Sequence, residues 1–158
     1  MGSVAVFAAT NTEQPMPVRV LIVDGCPDTT STLSMLMRTW GHEPRVAHDG
    51  PTALVEAAMQ KPDVVLLDIG LPGMSGWELA RQLQALPGME TARLVAMSGF
   101  GHSQDQVHSF EVGCELHLLK PVDPLMLERI LREQGPCRPD MFSSSACAAE
   151  LNRCRCRN

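Results

Sequence analysis

Four side chains with the means to do chemistry each follow a short apolar run of this sequence. Asp24 follows residues 20–23, Asp68 follows 64–67, Ser98 follows 94–97 and Lys120 follows 116–119. Runs of this length predict strands that are buried on both faces, as in a parallel sheet. The carboxyl ends of parallel strands lie at one edge, where open α/β folds bind ligands, so we expect an acid, a hydroxyl and an amine to gather around Asp68.

A simpler explanation exists for an aspartate between a strand and a turn. Pro72, Gly73 and Gly76 follow Asp68 and predict that the chain turns outward there, so Asp68 taken alone could be no more than the cap of that turn. Polar groups recur, however, at three further strand ends. That recurrence favours a reactive or ligand-binding site.

Composition limits the classes of protein that the chain can belong to. The 158 residues, 44% hydrophobic and 20% charged, suit one globular domain with tails and exclude disorder of the whole chain. A net charge of -5 argues against direct binding to nucleic acid or to an anionic membrane surface. No apolar run reaches the roughly 18 residues that span a bilayer, and we expect a cytoplasmic protein. The six cysteines form no repeated C-x-x-C pair, which favours reduced thiols over a zinc site.

Strands and helices are predicted to alternate along the chain. Predicted strands cover residues 18–23, 44–47, 64–67, 93–97 and 115–119. Each is followed by a helical pattern, and these patterns place the following side chains inward: Leu33, Leu36, Met37, Trp40, Ala53, Leu54, Ala57, Ala58, Leu79, Ala80, Leu83, Leu86, Val107, Phe110, Leu127, Ile130 and Leu131. Five alternations with short connections predict a doubly wound α/β fold, with a parallel sheet and helices on both faces. Residues 1–17 are predicted to be a flexible leader and residues 134–158 a disordered tail containing Cys, Ser and Arg.

The motifs at the strand ends resemble one known family. Residues 18–133 resemble the receiver domain of two-component response regulators, through residues 20–24, 67–76, 97–99 and 119–121 taken in order. Residues 113–124 are also similar to receivers attached to hybrid histidine kinases. The resemblance implies a flavodoxin-like sheet with strand order 2-1-3-4-5. It further implies that Asp68 accepts a phosphoryl group from a histidine kinase or a histidine phosphotransfer protein, with Lys120 and Ser98 assisting.

The same resemblance implies a magnesium site with one departure. Asp24, Asp68 and the backbone carbonyl of Gly70 would be the Mg²⁺ ligands, but receivers usually carry a second acid where this chain has Gly25. We therefore expect weakened magnesium binding. Two repairs are open: Asp24 swings into the space beside Gly25, or Asp28 reaches down from the first helical turn. Asp28 can instead serve only to stabilise the helix N-terminus.

Two residues are expected to carry the signal away from the site. Ser98 matches the hydroxyl that moves toward the phosphoryl group, and His117 stands where the family often has a Tyr or Phe that rotates on activation. His117 can pivot in this way, or it can pack half-buried without a signalling role. The remaining histidines show no partner spacing and are predicted to lie on the surface: His42, His48, His102 and His108.

Three functions remain open from the sequence. The first is a phosphorylated receiver that catalyses only its own phosphotransfer and dephosphorylation and switches binding to a downstream protein or to a second copy of itself. The second is a pseudo-receiver, a protein-binding module that is not phosphorylated because of Gly25. The third is a flavodoxin-type enzyme, suggested by Thr29, Thr30 and Ser31 after the first strand. An acid in the preceding loop disfavours that flavin phosphate site.

Overall fold

The computed structural model describes residues 16–99 and 103–133, and these form five strands and five helices. The strands are β1 (Arg19–Val23), β2 (Glu43–Ala47), β3 (Val64–Asp68), β4 (Arg93–Ser98) and β5 (Leu116–Leu119). The helices are α1 (Pro27–Thr39), α2 (Gly50–Gln60), α3 (Gly76–Ala85), α4 (Ser103–Glu111) and α5 (Pro124–Arg132). The predicted alternation is confirmed. Nearly all of the predicted leader and the whole predicted tail lie outside the described residues.

The five strands form one parallel sheet with the order β2-β1-β3-β4-β5. This order confirms the flavodoxin-like doubly wound fold. The central strand, β3, pairs Val64 with Val20 of β1 and Asp68 with Met97 of β4. Because every pairing is parallel, the carboxyl ends of β1, β3, β4 and β5 lie at the same edge.

The core has two halves, one on each face of the sheet. Strand β3 supplies both, because successive side chains of a strand point to opposite faces: Val65 and Leu67 enter one half, Val64 and Leu66 the other. Helices α2 and α3 cover the first half, and α1 and α5 cover the second. No helix within the described ranges is long and apolar enough to cross a membrane.

Helix ends are fixed by local chemistry that the sequence carries. The Asp49 side chain accepts a hydrogen bond from the Thr52 N–H at 2.7 Å and caps α2, and the Asp123 side chain accepts from the Leu125 N–H at 2.9 Å and caps α5. Helix α1 begins with Pro27, whose missing N–H costs nothing at that position. Because each of these helices follows a parallel strand, its N-terminus lies beside the carboxyl edge of the sheet.

Helix α4 is rotated relative to the prediction. Val107 and Phe110, predicted to face inward, are 59% and 58% exposed, whereas Ser109 is completely buried. The apolar spacing was misleading because Ser109 satisfies its hydroxyl with hydrogen bonds inside the fold and therefore tolerates burial. Ala58 of α2, also predicted inward, is exposed.

His42 is a second correction, since it was predicted to lie on the surface and is only 7% exposed. Its Nδ1 accepts a hydrogen bond from the Val18 N–H at 3.3 Å, next to the start of β1. Burial lowers the pKa of His42, so the ring is neutral in the folded protein. His48 is exposed as predicted, His108 is partly exposed, and His102 lies outside the described residues.

Candidate functional site

Three of the predicted site residues meet at the carboxyl edge of the sheet. The Lys120 ammonium lies 2.6 Å from Asp24 Oδ2 and 3.0 Å from Asp68 Oδ2. Asp24 follows β1, Asp68 ends β3 and Lys120 follows β5, so three strands converge on one contact. The Asp24 side chain is 1% exposed and that of Asp68 is 14% exposed. The two carboxylates therefore face a common, nearly enclosed pocket.

Backbone donors fix the orientation of both carboxylates. Asp24 Oδ1 accepts a hydrogen bond from the Cys26 N–H at 2.8 Å, and Asp68 Oδ1 accepts one from the Gly70 N–H at 3.0 Å. The His48 ring contacts the Asp24 backbone carbonyl, with Nδ1 at 3.0 Å. In each aspartate, one carboxylate oxygen accepts a backbone hydrogen bond and the other lies next to Lys120. The turns after β1 and β3 preorganise the pocket.

The charges at this edge do not cancel. Burial alone lowers the pKa of Lys120, but hydrogen bonds and charges from Asp24 and Asp68 outweigh it and raise that pKa above its ordinary value. The lysine is therefore an ammonium at neutral pH. Two carboxylates share this single positive charge, which leaves surplus negative charge able to attract a cation.

Carboxylate oxygens fit Mg²⁺, which proteins often hold with one or two carboxylates and several waters. Asp24 and Asp68 supply such oxygens, but residues 16–99 and 103–133 contain no cluster of three or more His, Cys, Asp or Glu side chains able to hold a metal. A side chain at Gly25 would place its Cβ 2.9 Å from Pro72 Cδ, so the proline ring would have to shift to admit the usual acid. The residues present fit a two-carboxylate magnesium site.

The two expected repairs differ in what surrounds each aspartate. Asp24 is engaged with Lys120 and with the Cys26 N–H, so a swing toward Gly25 must break both contacts. Asp28 lies in the first turn of α1 and lines a groove that also contains Lys120 and Pro121. Asp28 is thus an acid that shares a groove with Lys120.

Ser98 lies at the same edge, one residue beyond Met97, which is the β4 partner of Asp68. Ser98 Oγ lies 2.7 Å from His117 Nε2, and the Ser98 side chain is buried. The predicted hydroxyl is therefore next to the β4 residue that pairs with Asp68, and it is connected to His117.

Sequence reasoning missed two residues that surround His117. Ser109 Oγ lies 2.5 Å from His117 Nδ1, and the Trp77 ring lies 6.5 Å from the imidazole, centroid to centroid. Ser109 is polar and completely buried, so the apolar spacing of α4 gave no signal for it. Nothing in the spacing of Trp77 indicated its proximity to His117.

Two cysteines lie among the described residues, and both are free thiols. Cys26 is exposed at the start of α1, beside Asp24, and Cys114 is buried before β5. Burial raises the pKa of Cys114 to about 11, which keeps this thiol protonated.

The strand order and the acidic carboxyl edge define a flavodoxin-like α/β domain with its binding site at the strand ends. The sequence profile of the response regulator receiver domain matches residues 20–132. The chain therefore belongs to the family of response regulator receiver domains, the signalling modules of two-component systems. This confirms the resemblance that the strand-end motifs indicated.

Known proteins similar to this chain agree with the assignment. The response regulator PleD of Caulobacter vibrioides is 34% identical over 112 residues, which are 71% of this chain and 25% of PleD. The structure of a response regulator receiver domain from Methylobacillus flagellatus is 31% identical, with a TM-score of 0.65, and the match covers 74% of this chain and 98% of that one.

A third similar structure is the receiver domain of a sensor histidine kinase from Pseudomonas aeruginosa PAO1, which has a magnesium ion coordinated in its active-site cleft. It is 24% identical, with a TM-score of 0.67, over 74% of this chain and 96% of that one. At this identity the similarity concerns the fold. The present chain thus spans a quarter of PleD but almost the whole of the isolated receiver domains.

Proposed function

We propose that this protein is a phosphoacceptor receiver that takes a phosphoryl group on Asp68 from a histidine kinase or a histidine phosphotransfer protein. The observation that carries the proposal is the contact of Asp68 and Asp24 with one ammonium, that of Lys120, at the carboxyl edge of the sheet. A carboxylate held in this way is a nucleophile whose approach to phosphorus is assisted by fixed positive charge.

The transfer needs little besides positioning and charge neutralisation. An Asp68 carboxylate oxygen attacks phosphorus, an O–P bond forms, and the P–N bond to the donor imidazole breaks, after which the free imidazole takes up a proton from solvent. The Gly70 N–H holds Oδ1 and so orients the carboxylate, and Lys120 offsets the charge of the incoming oxygens. Mg²⁺ held by Asp24, Asp68 and the Gly70 carbonyl would supply the further positive charge that phosphoryl transfer uses.

The output is a change in affinity for a protein partner. Phosphorylation adds roughly -1.5 to -2 charges at the end of β3, and Ser98 and Lys120 close on that charge. Ser98 is bonded to His117, and His117 to Ser109 of α4, so a movement of Ser98 reaches α4. Val107 and Phe110 lie exposed on this helix and form an apolar surface for a downstream protein or for a second copy of the chain.

A pseudo-receiver is the second candidate, and one contact favours it. The Pro72 ring lies 2.9 Å from the place where the Cβ of a side chain at position 25 would be, so this loop packs closely against a residue that has no side chain. In that case Lys120 serves as a permanent counterion of the two aspartates. The module would then bind its partner without phosphorylation.

The two candidates differ in covalent chemistry. We expect incubation with acetyl phosphate and Mg²⁺ to add the mass of one phosphoryl group to the native chain and none to the Asp68→Ala variant. The Asp49→Asn variant is the matched control, because Asn keeps the cap of α2 and the residue lies outside the pocket. A native chain that gains no mass selects the pseudo-receiver. Partner binding that still responds to the phosphodonor in Asp68→Asn contradicts the assignment of Asp68.

A further inference from the structure

A chain of hydrogen bonds connects β4, β5 and α4 behind the acidic pocket. His117 stands in its middle, with Nε2 at 2.7 Å from Ser98 Oγ and Nδ1 at 2.5 Å from Ser109 Oγ. Ser109 Oγ also lies 2.8 Å from the Asp105 backbone carbonyl. Both ring nitrogens of His117 thus take part in hydrogen bonds. The series of hydrogen bonds ends on the Asp105 carbonyl, which can only accept one.

The chemistry of the groups fixes the direction of these bonds. A carbonyl oxygen only accepts, so the Ser109 hydroxyl proton is donated to Asp105. Ser109 Oγ must then accept from His117, which places a proton on Nδ1. In a neutral imidazole the other nitrogen, Nε2, carries no proton and accepts from the Ser98 hydroxyl.

The surroundings of His117 favour the neutral ring in the unphosphorylated protein. Burial lowers the pKa of His117, and this effect exceeds the opposing influence of the Asp105 charge and backbone carbonyl on α4. Helix α3 contributes the uncharged ring of Trp77, and the ring centroid of His108 on α4 lies 5.1 Å from that of the indole. Strand β4 contributes Ser98, which carries no charge. The Asp105 carboxylate is therefore the charged group that favours a proton here.

We propose that His117 binds a proton when Asp68 is phosphorylated, so that phosphorylation and proton uptake are coupled through Ser98. A hydroxyl has one proton, and when Ser98 donates it to a phosphoryl oxygen it no longer donates it to Nε2. His117 is half-buried, and an acceptor that is shielded from water and loses its donor is unfavourable. A proton taken from solvent by Nε2 restores the bond, with Nε2 now donating to Ser98 Oγ.

The Ser109 contact makes this exchange possible without a rotation of the ring. Nδ1 donates to Ser109 in both states, so the imidazole keeps its place while Nε2 changes from acceptor to donor. A Phe at position 117 has no such nitrogen and a Tyr hydroxyl has no comparable protonation near neutral pH. Because linkage is reciprocal, the phosphorylated form is favoured as the pH falls.

The test is a nitrogen-15 NMR titration of the histidine rings in the native chain, before and after phosphorylation with acetyl phosphate. The His117→Phe variant assigns the His117 signals, and intact mass measures the phosphorylated fraction in each sample. We expect the unphosphorylated ring to carry its proton on Nδ1 alone. In the phosphorylated chain we expect the titration midpoint of His117 to rise by about one pH unit or more, a tenfold gain in proton affinity.

The Ser98→Ala variant separates the exchange from the general effect of added negative charge. Without the hydroxyl there is no donor to lose, so phosphorylation should raise the midpoint of His117 by less than half of the native shift. His42 is the internal control, since it lies at the other end of the sheet beside Val18 and should not respond.

The inference rests on the proposed function, and its failure is distinguishable from that of the function. A phosphorylated native chain in which His117 keeps Nε2 unprotonated at pH 6.5 overturns the inference and leaves phosphorylation standing, and so does an equal midpoint shift in native chain and Ser98→Ala. If Ser98→Ala folds poorly, the protonation state of Nε2 in the native chain decides alone. A native chain that gains no phosphoryl mass overturns both.

Discussion

Lys120 is the residue on which the acidic edge depends. Its ammonium is the counterion of two carboxylates that are almost completely removed from water. Removing one partner of a buried ion pair is costly because the remaining charge is left without compensation. At this edge, one lysine is therefore the counterion of two acids.

Replacing Lys120 with Ala should destabilise the protein by about 2 to 4 kcal/mol, because Asp24 and Asp68 are left facing each other. Urea denaturation at pH 7 measures the change. Arg129→Ala is the control, since Arg129 pairs with Glu133 at an exposed site and its removal should leave stability nearly unchanged. A Lys120→Ala variant as stable as this control would show that the contact contributes little.

His42 predicts a dependence of stability on pH. The pKa of His42 in the folded protein lies below the ordinary value of 6.5. The unfolded chain therefore binds more protons than the folded chain as the pH drops below that value. The contribution of His42 to the free energy of unfolding is complete above pH 6.5 and is lost as the pH falls through the pKa of His42 in the folded protein. The Asn side chain can accept the Val18 N–H but does not titrate.

The His42→Asn variant should therefore match the native chain at pH 8 and lose less stability on acidification. Thermal or urea unfolding at several pH values between 8 and 5 measures this difference. Parallel curves for the two proteins would show that His42 does not contribute to the acid sensitivity.

At the residue scale the sequence predicts some of the site and misses the rest for a physical reason. The meeting of Asp24, Asp68 and Lys120 follows from strand ends alone, because parallel strands end at one edge. The contact of Ser98 with His117 depends on the pairing of β4 with β5, and register is a property of two strands together. Ser109 is polar, so no apolar pattern could indicate that it is buried.

At the scale of elements, the loops after β1 and β3 act as one unit. The β1 loop carries Gly25 and the β3 loop carries Pro72, and a side chain at position 25 would place its Cβ 2.9 Å from the Pro72 ring. The loop after β3 is also closely packed at Gly76, where a Cβ would lie 2.5 Å from the Ile69 Cα. The geometry around Asp68 therefore depends on close backbone approaches that larger residues would disturb.

Introducing the usual acid by Gly25→Asp should strengthen magnesium binding by about tenfold or more, since a third carboxylate joins Asp24 and Asp68. Calorimetric titration with Mg²⁺ measures the affinity. Because the new Cβ meets the Pro72 ring, some loss of stability is expected, and Gly25→Ala measures that steric part alone. The double variant with Pro72→Ala should recover stability. Equal affinity in Gly25→Asp and Gly25→Ala would show that position 25 does not face the metal.

Helix α4 shows where element-level prediction fails. The other helices bury most of the apolar side chains that their spacing selects, whereas Val107 and Phe110 of α4 face outward. When a helix has few apolar residues, their spacing does not define which face of the helix is buried. In α4 the buried face is set by the hydrogen bonds of Ser109. The exception falls on the helix that we propose as the output surface, where exposed apolar groups are needed for binding.

At the scale of the whole molecule, the fold follows from the sequence because each level of pattern agrees. Continuous apolar strands require cover on both faces, and four of the five helices supply it, α2 and α3 on one side and α1 and α5 on the other. The chain spans a quarter of the length of PleD, and binding experiments with the phosphorylated and unphosphorylated chain identify the partner of the receiver.

The chemical identity of the modified residue is the most direct test of the account. Borohydride reduces an aspartyl phosphate to homoserine, so a chain treated with acetyl phosphate and Mg²⁺ can be reduced, digested and sequenced by mass spectrometry. We predict homoserine at position 68 alone, and none in a sample that received no phosphodonor. Homoserine at Asp24 or another carboxylate, or no homoserine at position 68 in a chain that has gained phosphoryl mass, would contradict the assignment of Asp68 as the phosphoacceptor.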